Sequence, residues 1–149
     1  MIEIHPARSK ACPALADIHR QGFDPAWSAE EIWSLIDSLG AFAFSAGPET
    51  SPAGFVLCRI AADEAEVLTI ATRPDHRRQG VASALLDTAM GAALASGAAS
   101  MFLEVAVDNL AALALYRSRG FEAVGRRPGY YSRPGGPIDA MIMRVDLNR

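Results

Sequence analysis

Two side chains in the second half of the chain could carry acid–base chemistry. Glu104 interrupts the apolar run Met101–Val107, and Tyr116 lies in Ala111–Arg117, a segment that is otherwise almost wholly apolar. A carboxylate can accept the proton of an attacking amine. A tyrosine hydroxyl, with a pKa of about 10, can donate a proton to a departing thiolate whose own pKa is about 8.5. These residue types permit a reaction in which an amine loses a proton and a thiolate gains one.

Each of these residues also has a purely structural explanation. Alternation along a strand puts Phe102, Glu104 and Ala106 on one face. A carboxylate there costs free energy unless a partner pairs with it or water reaches it. If that face is solvated, Glu104 simply points into solvent. A buried tyrosine usually finds a hydrogen-bond partner, so Tyr116 could serve packing alone. The residues by themselves leave both alternatives open.

A third candidate is the turn Arg73–Ala82, which joins an apolar run, Glu66–Thr72, to the proline-free segment Val81–Ser96. A helix that begins there leaves several backbone N–H groups unpaired, and its dipole favours an anion such as a pyrophosphate. Gly80 lets the backbone approach that ligand closely because it has no Cβ atom. The alternative is an ordinary surface turn with two solvated arginines. The turn lacks the motifs of a Walker loop and of a dinucleotide fingerprint.

The elements that must position these residues follow from apolar periodicity and turn residues. Ser28 can cap a helix and Glu31 completes a capping box. The apolar stripe predicted for that helix is Ile32, Leu35, Ile36 and Leu39. The other elements predicted in the first half are a strand at Met1–Ile4, a helix at Ala14–Phe23, and strands at Ala41–Ala46 and Gly54–Ala61.

Strands and helices alternate in the second half. The predicted elements are a helix at Val81–Ser96 ending at Gly97, a strand at Ser100–Val107, a helix at Leu110–Arg119 capped by Asp108-Asn109, a strand beginning at Phe121–Val124, and a last strand at Ile138–Leu147. This alternation implies parallel pairing at the centre of the sheet, and hairpin-like regions on either side make the sheet mixed. The predicted fold class is therefore α/β.

Composition limits the class of protein. The 149 residues are 50% hydrophobic and 21% charged, with a mean hydropathy of +0.13, which indicates one compact domain over residues 1–149. A net charge of -3 gives no reason to expect nucleic-acid binding. No apolar run reaches the roughly 18–20 residues of a membrane span. No secretory segment opens the chain, so we expect a cytoplasmic protein without a membrane partner.

The thiols and imidazoles are scattered along the chain. Cys12 and Cys58 share no metal-ligand spacing with each other or with His5, His19 and His76. We therefore expect neither a metal site nor a disulfide framework. The thiols are expected to be buried or incidental, and the histidines to lie at the surface.

Several short motifs carry a resemblance to a known family. Arg77-x-x-Gly80-x-Ala82 resembles the (Gln/Arg)-x-x-Gly-x-(Gly/Ala) signature of the GNAT N-acetyltransferases, which hold the pyrophosphate of acetyl-CoA. Further motifs resemble, in order and spacing, those of the RimI group, the ribosomal-protein-alanine N-acetyltransferases. They are Trp27-Ser28, Asp63–Glu66 followed by Ile70-Ala71, Leu103–Val105, Asn109-x-x-Ala112, Leu115-Tyr116, Gly120-Phe121, Arg127-x-x-Tyr130-Tyr131 and Asp139-Ala140-x-x-Met143.

The resemblance implies a GNAT fold, a mixed and mostly antiparallel sheet with a parallel pair at the cofactor site and flanking helices. Glu104 would accept the proton of the amine, and Tyr116 would protonate the coenzyme A thiolate. Acetyl-CoA would be held, without a metal, by Ile70, Ala71, Thr72, Arg78, Gln79, Gly80, Val81, Ala82, Ser83 and Asn109. The acceptor side would comprise Trp27 and a loop carrying Arg127, Tyr130 and Tyr131.

The implied activity is transfer of an acetyl group to a protein's N-terminal α-amine, in particular the N-terminal alanine of a small-subunit ribosomal protein. Other protein N-termini, lysine side chains or a small amine stay open as acceptors, because sequence specifies the acceptor pocket poorly. A non-catalytic acyl-CoA-binding module is the alternative from another class, and the presence of both Glu104 and Tyr116 weighs against it. Two departures from the family pattern are Ala82, in place of a second glycine, and Thr72, where an aliphatic residue is usual.

Overall fold

A computed structural model describes residues 2–148 of the chain. Within that range the helices are α1 Cys12–Arg20, α2 Ala29–Ile36, α3 Val81–Ala95 and α4 Leu110–Ser118, with short 3-10 turns at Ser9–Ala11 and Pro74–His76. The strands are β1 Ile4–Pro6, β2 Ala41–Ala46, β3 Gly54–Ala61, β4 Glu64–Thr72, β5 Ser100–Ala106, β6 Glu122–Tyr131 and β7 Ile138–Asp146. None of the helices in this range has the length and apolar character of a membrane span.

The strands form one sheet in the order β1-β2-β3-β4-β5-β7-β6. The β4–β5 pair is parallel, and the other neighbours are antiparallel. A mixed sheet with a central parallel pair was predicted from the alternation of strands and helices, and this prediction is confirmed. The parallel pair follows from the connection through α3, which returns the chain to the same end of the sheet.

Helices cover both faces of the sheet. Along β3, Phe55 and Leu57 pack with α1 and α2, whereas Val56 and Cys58 pack with α3 and α4. Consecutive side chains of a strand point to opposite faces, so the two helix pairs lie on opposite sides. We call these two clusters the α1-side core and the α3-side core.

Local signals set the ends of the best-predicted helices. Ser28 and Glu31 form the predicted capping box of α2, with Glu31 N donating to Ser28 Oγ over 3.1 Å and Ser28 N donating to Glu31 Oε1 over 3.0 Å. Gly97, just after α3, has the positive φ of +96° that suits a glycine after a helix. These caps satisfy backbone groups that a helix end would otherwise leave unpaired.

Three predictions about the elements were wrong. Leu39 was placed on the apolar stripe of α2, but the helix ends at Ile36 and 97% of Leu39 is exposed. The first strand was predicted at Met1–Ile4, whereas β1 spans Ile4–Pro6, and Met1 lies outside the described residues. Helix α1 was predicted at Ala14–Phe23, but it begins at Cys12, because Pro13 is accommodated in its first turn, and it ends at Arg20.

Gly54 fixes the spacing between β3 and the end of β4. A Cβ atom built on Gly54 would lie 2.6 Å from the carbonyl oxygen of Ala71 and 3.0 Å from Cγ1 of Val81. We expect Gly54→Ala to lower the free energy of unfolding by about 1–3 kcal/mol in urea titrations, because backbone must move to admit the methyl group.

Gly91 provides the matched control for that substitution. It lies in α3, and a Cβ atom there would meet no heavy atom within 4 Å. Gly91→Ala should raise the free energy of unfolding by about 0.5–1 kcal/mol, because alanine loses less conformational freedom in a helix. A Gly54→Ala protein as stable as the parent would show that the β3–β4 spacing is not fixed by this contact.

Candidate active site

The parallel strands β4 and β5 are paired for only part of their length. Their ladder comprises Glu64–Ser100, Ala65–Met101 and Glu66–Phe102, although β4 runs on to Thr72 and β5 to Ala106. Among the described residues, the β5-facing edge of β4 has no ladder partner beyond Glu66. The predicted pantetheine-binding residues, Ile70, Ala71 and Thr72, all lie on this edge. Its free backbone groups could hydrogen-bond an extended ligand in the way that another strand would.

A bulge in β4 marks the start of the unpaired edge. Cys58 pairs with Val67 and Leu57 pairs with Thr69, so Leu68 is an extra residue in β4. A bulge of this kind bends a strand and strengthens its local twist. This distortion turns the second half of β4 away from β5 and opens the sheet at its centre.

The turn after β4 leads directly into the N-terminus of α3. Arg78 and Gly80 both have positive φ, at 64° and 81°. In the described chain, no side chain caps α3, whereas Ser28 caps α2 and Asn109 caps α4. The first N–H groups of α3 are therefore available to an anion, and the helix dipole favours negative charge at the same place. The predicted residues Gln79, Val81, Ala82 and Ser83 lie within or beside this turn.

The arginines near the turn have different roles. Arg73 is structural, since its Nε donates to the carbonyl of Pro52 over 2.9 Å and its Nη1 contacts Asp17 Oδ2 over 2.9 Å. The Arg73 hydrogen bond is the main reason why the pKa of Asp17 is lowered. Arg77 and Arg78 are exposed, and neither forms an ion pair within residues 2–148. Positive charge and unpaired N–H groups at one place fit the pyrophosphate predicted from the sequence.

Glu104 lies on the face of the sheet opposite α3. Its neighbours Leu103 and Val105 are in the α3-side core, so alternation directs Glu104 to the other face. Only 18% of the Glu104 side chain is exposed, and Arg127 Nε donates to its Oε1 over 2.7 Å. This ion pair supplies the partner that a carboxylate on a central strand requires. Glu104 is therefore not simply a solvated side chain.

A cleft of about 290 Å³ opens beside Glu104. Its lining comprises Arg59, Ala61, Glu64, Ala65, Glu66, Phe102, Leu103, Glu104, Arg127 and Ile142. The acidic side chains Glu64 and Glu66 share it with the guanidinium groups of Arg59 and Arg127. A cationic amine that approaches Glu104 would therefore enter a cleft with acidic side chains and a partly apolar wall. Most of these lining residues were not predicted, because they come from five strands that only the sheet brings together.

Tyr116 lies on the other face of the sheet, in α4 and within the α3-side core. Only 6% of the residue is exposed, and its ring packs edge-on against Phe121 with centroids 5.9 Å apart. Burial, with a smaller contribution from Tyr131, raises the pKa of Tyr116 to about 12. The phenol therefore stays protonated at any physiological pH and can act only as a hydrogen-bond or proton donor.

Tyr131 connects the two candidate catalytic residues. Its own pKa is raised, first by burial and then by the charge of Glu104, and Tyr131 in turn raises the pKa of Tyr116. Tyr131 is therefore electrostatically linked to the base candidate on one face of the sheet and to the acid candidate on the other.

The segment that carries Tyr131 differs from its prediction. Arg127, Tyr130 and Tyr131 were expected on a loop, but they belong to strand β6. Arg127 pairs with Ala140 and Tyr131 with Ile138, so the residues between them bulge outward opposite Asp139. The strand was predicted to begin at Phe121–Val124, but its continuation to Tyr131 escaped prediction because nearly all its side chains are exposed and it contains Pro128 and Gly129.

Asp139 holds this bulge in place. Its Oδ1 accepts from Gly129 N over 2.8 Å and its Oδ2 accepts from Arg126 Nε over 2.6 Å. These contacts lower the pKa of Asp139, the Gly129 hydrogen bond most of all. Tyr130 and Tyr131 follow directly, with ring centroids 5.0 Å apart. The carboxylate thereby fixes the backbone that presents both tyrosines.

Two predicted site residues have structural partners. Asn109 accepts a hydrogen bond from Ala112 N over 3.2 Å, so its side-chain oxygen caps α4, and its amide group is what could reach a cofactor. Trp27 packs against the α1-side core and stacks on His19 with centroids 4.7 Å apart. It is not part of the Glu104 cleft. The expectation that the histidines lie at the surface was wrong for His19, of which 3% is exposed.

A second depression lies away from these residues. A surface depression of about 400 Å³ is formed by the C-terminal half of α3 and the end of β7, including Met90, Leu94 and Val145. It contains neither Glu104 nor Tyr116. We therefore take the place where β4 and β5 separate as the candidate site, since Glu104, the unpaired edge of β4 and the uncapped start of α3 are all next to it in the chain.

Comparison with known proteins agrees with this geometry. Residues 12–121 match the sequence profile of the acetyltransferase (GNAT) family. The chain therefore belongs to the GNAT family, and its mixed sheet with one parallel pair is the fold of that family.

Among similar proteins, the one named ribosomal protein bS18-alanine N-acetyltransferase in Escherichia coli K12 is 38% identical over 96 residues, which are 64% of this chain and 65% of that protein. The protein of the same name in Salmonella typhimurium LT2 is 35% identical over 96 residues, again 64% of this chain and 65% of that protein. The chain thus matches just under two thirds of the length of these relatives. The crystal structure of the ribosomal-protein-S18-alanine N-acetyltransferase from Escherichia coli superposes with a TM-score of 0.91 at 31% identity, covering 100% of this chain and 96% of that one.

Proposed function

We propose that this protein transfers the acetyl group of acetyl-CoA to the N-terminal α-amine of a protein. The acceptor we propose is the N-terminal alanine of a small-subunit ribosomal protein, as in the names of the relatives from Escherichia coli and Salmonella. Such an acceptor implies a cytoplasmic enzyme. The observation that carries the proposal is that Glu104 of β5 and Tyr116 of α4 lie on opposite faces of the sheet, and that β5 separates from β4 beyond Phe102.

The unpaired edge of β4 is the proposed seat of the pantetheine arm. Backbone groups of Ile70, Ala71 and Thr72 would pair with its amides, and an N–H there would stabilise the charge that develops on the carbonyl oxygen. The turn Arg78–Ser83 would hold the pyrophosphate, which suits the uncapped start of α3. The small side chain of Ala82 keeps that approach open even though a second glycine is absent.

Glu104 is the proposed proton acceptor. An α-amine has a pKa of about 7.7–8.0, so it reaches the site largely protonated and must lose a proton before it can attack. Because Arg127 occupies one oxygen of Glu104 at 2.7 Å, the acceptor must use the other oxygen or displace Arg127. More than half of the Arg127 side chain is exposed, so it can move without disturbing the packing of the core. It therefore could shield the carboxylate until an acceptor arrives.

Tyr116 is the proposed donor to the leaving thiolate, and Tyr130 and Tyr131 are proposed to contact the acceptor peptide. Direct attack of the amine on the thioester needs positioning more than covalent activation. Cys58 is fully buried and burial raises its pKa to about 12, so it is unsuited to a covalent acetyl-cysteine route.

The test is mass spectrometry of peptides incubated with acetyl-CoA and the purified protein. The panel comprises a ribosomal peptide that begins with alanine, the same peptide with other first residues, and a lysine peptide whose N-terminus is blocked. We expect an added acetyl group on the free alanine terminus, at a rate at least about tenfold above that of the other peptides, which corresponds to about 1.4 kcal/mol of discrimination.

Other outcomes would redirect the proposal. If lysine, or many different N-termini, are acetylated equally well, the protein is still an acetyltransferase, but the proposed alanine acceptor is wrong. If no peptide is acetylated while acetyl-CoA still binds, the acceptor is a small amine or the protein is a non-catalytic acyl-CoA-binding module. Two negative controls are a reaction without acetyl-CoA and a reaction with a peptide that is already acetylated.

A further inference from the structure

His19 is buried in an aromatic stack that the proposed reaction does not use. Its ring lies between Phe23, with centroids 4.3 Å apart, and Trp27, with centroids 4.7 Å apart. The planes of each pair are within 8° of parallel. The ring of Phe55 in β3 also lies beside the imidazole, with its centroid 6.3 Å from that of His19. The imidazole thereby joins helix α1 to the segment 21–28, which we call the α1–α2 loop.

A hydrogen bond fixes the protonation of this imidazole. Trp27 N donates to His19 Nδ1 over 3.1 Å, so Nδ1 must be unprotonated and the ring proton must be on Nε2. The carbonyl of His19 also accepts from Gly22 N and Phe23 N over 3.1 and 3.0 Å. One residue therefore binds the α1–α2 loop at its start through the carbonyl and at its end through the ring.

The loop lies on the acceptor side of the sheet. Trp27 packs on the α1-side core together with Leu68, the bulged residue of β4. Glu104 projects from that same face, as its alternation with Leu103 requires. Trp27 and the bulged residue thus pack against one cluster on the face that carries Glu104, so the position of the loop affects the surface that an acceptor must approach.

Protonation of His19 is incompatible with this arrangement. A proton on Nδ1 would face the N–H of Trp27, and a hydrogen bond would become a contact between two donors. Burial lowers the pKa of His19, and the negative charge of Glu31 on α2 partly opposes this effect. On α1 itself, Asp17 and Arg20 form an ion pair, and Asp17 also binds Arg73 after β4. The aromatic faces of Phe23 and Trp27 favour an imidazolium slightly, but they cannot replace the lost hydrogen bond.

The direction of the pH effect follows from these contacts. The pKa of His19 in the closed loop is below the value of about 6.5 for a free histidine. Below pH 6.5 an open loop therefore binds protons more readily than the closed one. The stabilising contribution of His19 is complete above pH 6.5 and decreases as the pH falls through the lowered pKa.

We infer that His19 is a positioning residue for acceptor binding, which it supports by holding Trp27 and the α1–α2 loop closed while its ring is neutral. The inference rests on the proposed function in one respect, namely that an amine-bearing acceptor approaches this face. Acetyl-CoA is held by other elements, the edge of β4 and the start of α3. Loss of the His19 contact should therefore weaken acceptor binding selectively.

The first test needs neither substrate. The chain has two tryptophans, so Trp33→Phe leaves Trp27 as the only fluorophore of its type. As the pH is lowered from about 8 to about 5, we expect the Trp27 emission to move to longer wavelength and acrylamide to quench it more strongly, with a midpoint below pH 6.5. A Trp27 spectrum that does not change over this range would overturn the inference, whether or not any peptide is acetylated.

Two replacements separate the ring from its hydrogen bond. His19→Phe keeps an aromatic ring and removes the acceptor atom, so the acceptor KM should rise about tenfold at pH 8 while the acetyl-CoA KM stays within about twofold. His19→Asn keeps an acceptor at the δ position that does not titrate. Its acceptor KM should stay within about threefold of the parent, and the pH response of Trp27 should disappear.

The controls distinguish positioning from general loosening of the fold. His5→Asn alters a histidine whose contact is with Glu3 at 3.3 Å, and it should leave the Trp27 response unchanged. Protonation of the amine substrate affects all variants equally, so the ratio of acceptor KM values between the parent and His19→Asn isolates the imidazole. A Trp27 transition that persists in His19→Phe, or KM values that rise equally for both substrates, would overturn the inference.

Discussion

Replacing Glu104 with glutamine is expected to lower kcat/KM for the peptide acceptor about 100- to 1000-fold at pH 7, the range typical of a lost general base. Glutamine preserves the size of the side chain, and its oxygen can still accept from Arg127, so the fold should remain intact. The deficit should shrink as the pH rises through about 8, because the α-amine then loses its proton to water and needs no base. The measurement is the pH dependence of peptide acetylation for both proteins.

Glu66→Gln is the matched control for this prediction. Glu66 lines the same cleft, and its nearest cationic partner is Arg59 at 3.9 Å. Its replacement should change kcat/KM by no more than about threefold, as expected for a half-exposed, weakly paired carboxylate. If Glu66→Gln causes the larger loss, the base is Glu66. If neither variant changes the pH profile, the amine is deprotonated through a water molecule by another group.

The parts of the fold that were predictable have local causes. The capping box at Ser28 and the glycine after α3 are signals contained within a few residues, and the structure has both. Strand β6 has no such signal beyond its predicted start, since nine of its ten positions are exposed and its pairing is supplied by β7. Leu39 was misassigned because helical spacing continues past Ile36 in the sequence, whereas the chain turns at Gly40 with φ of 81°.

The candidate site was predictable only in part, for a related reason. Glu104 stood out because a carboxylate in an apolar strand requires an explanation within its own strand. The bulge at Leu68, the electrostatic influence of Glu104 on Tyr131, and the burial of His19 depend on residues far apart in sequence. Residue type and spacing therefore indicated which groups could react, while tertiary contacts determine how they are held.

Tyr116→Phe is expected to lower kcat about 100-fold and to leave the dissociation constant of acetyl-CoA within about threefold. The raised pKa of Tyr116 bears on how this residue works. Full transfer from a phenol with a pKa of about 12 to a thiolate of about 8.5 would cost about 5 kcal/mol. Burial raises the pKa of a bound thiolate as well, which reduces that cost. Tyr116 should therefore act mainly as a hydrogen-bond donor that strengthens as negative charge develops on sulfur.

This role has a consequence for pH dependence. The folded-state pKa of Tyr116 lies above the value of about 10 for an unfolded chain, so its contribution to stability is complete below pH 10 and is lost as the pH rises towards 12. Any alkaline loss of activity near pH 9–10 must come from another group, and it should persist in Tyr116→Phe.

Tyr130→Phe is the comparison for this substitution, because Tyr130 is exposed and its proposed contact is with the peptide. It should change the acceptor KM rather than kcat. The two variants would be compared by steady-state kinetics, with acetyl-CoA binding measured by calorimetry. An unchanged kcat in Tyr116→Phe would mean that the thiolate leaves without a donor from α4. The tyrosine would then be a packing residue, and the placement of Glu104 and Tyr116 on opposite faces of the sheet would no longer support the proposed mechanism.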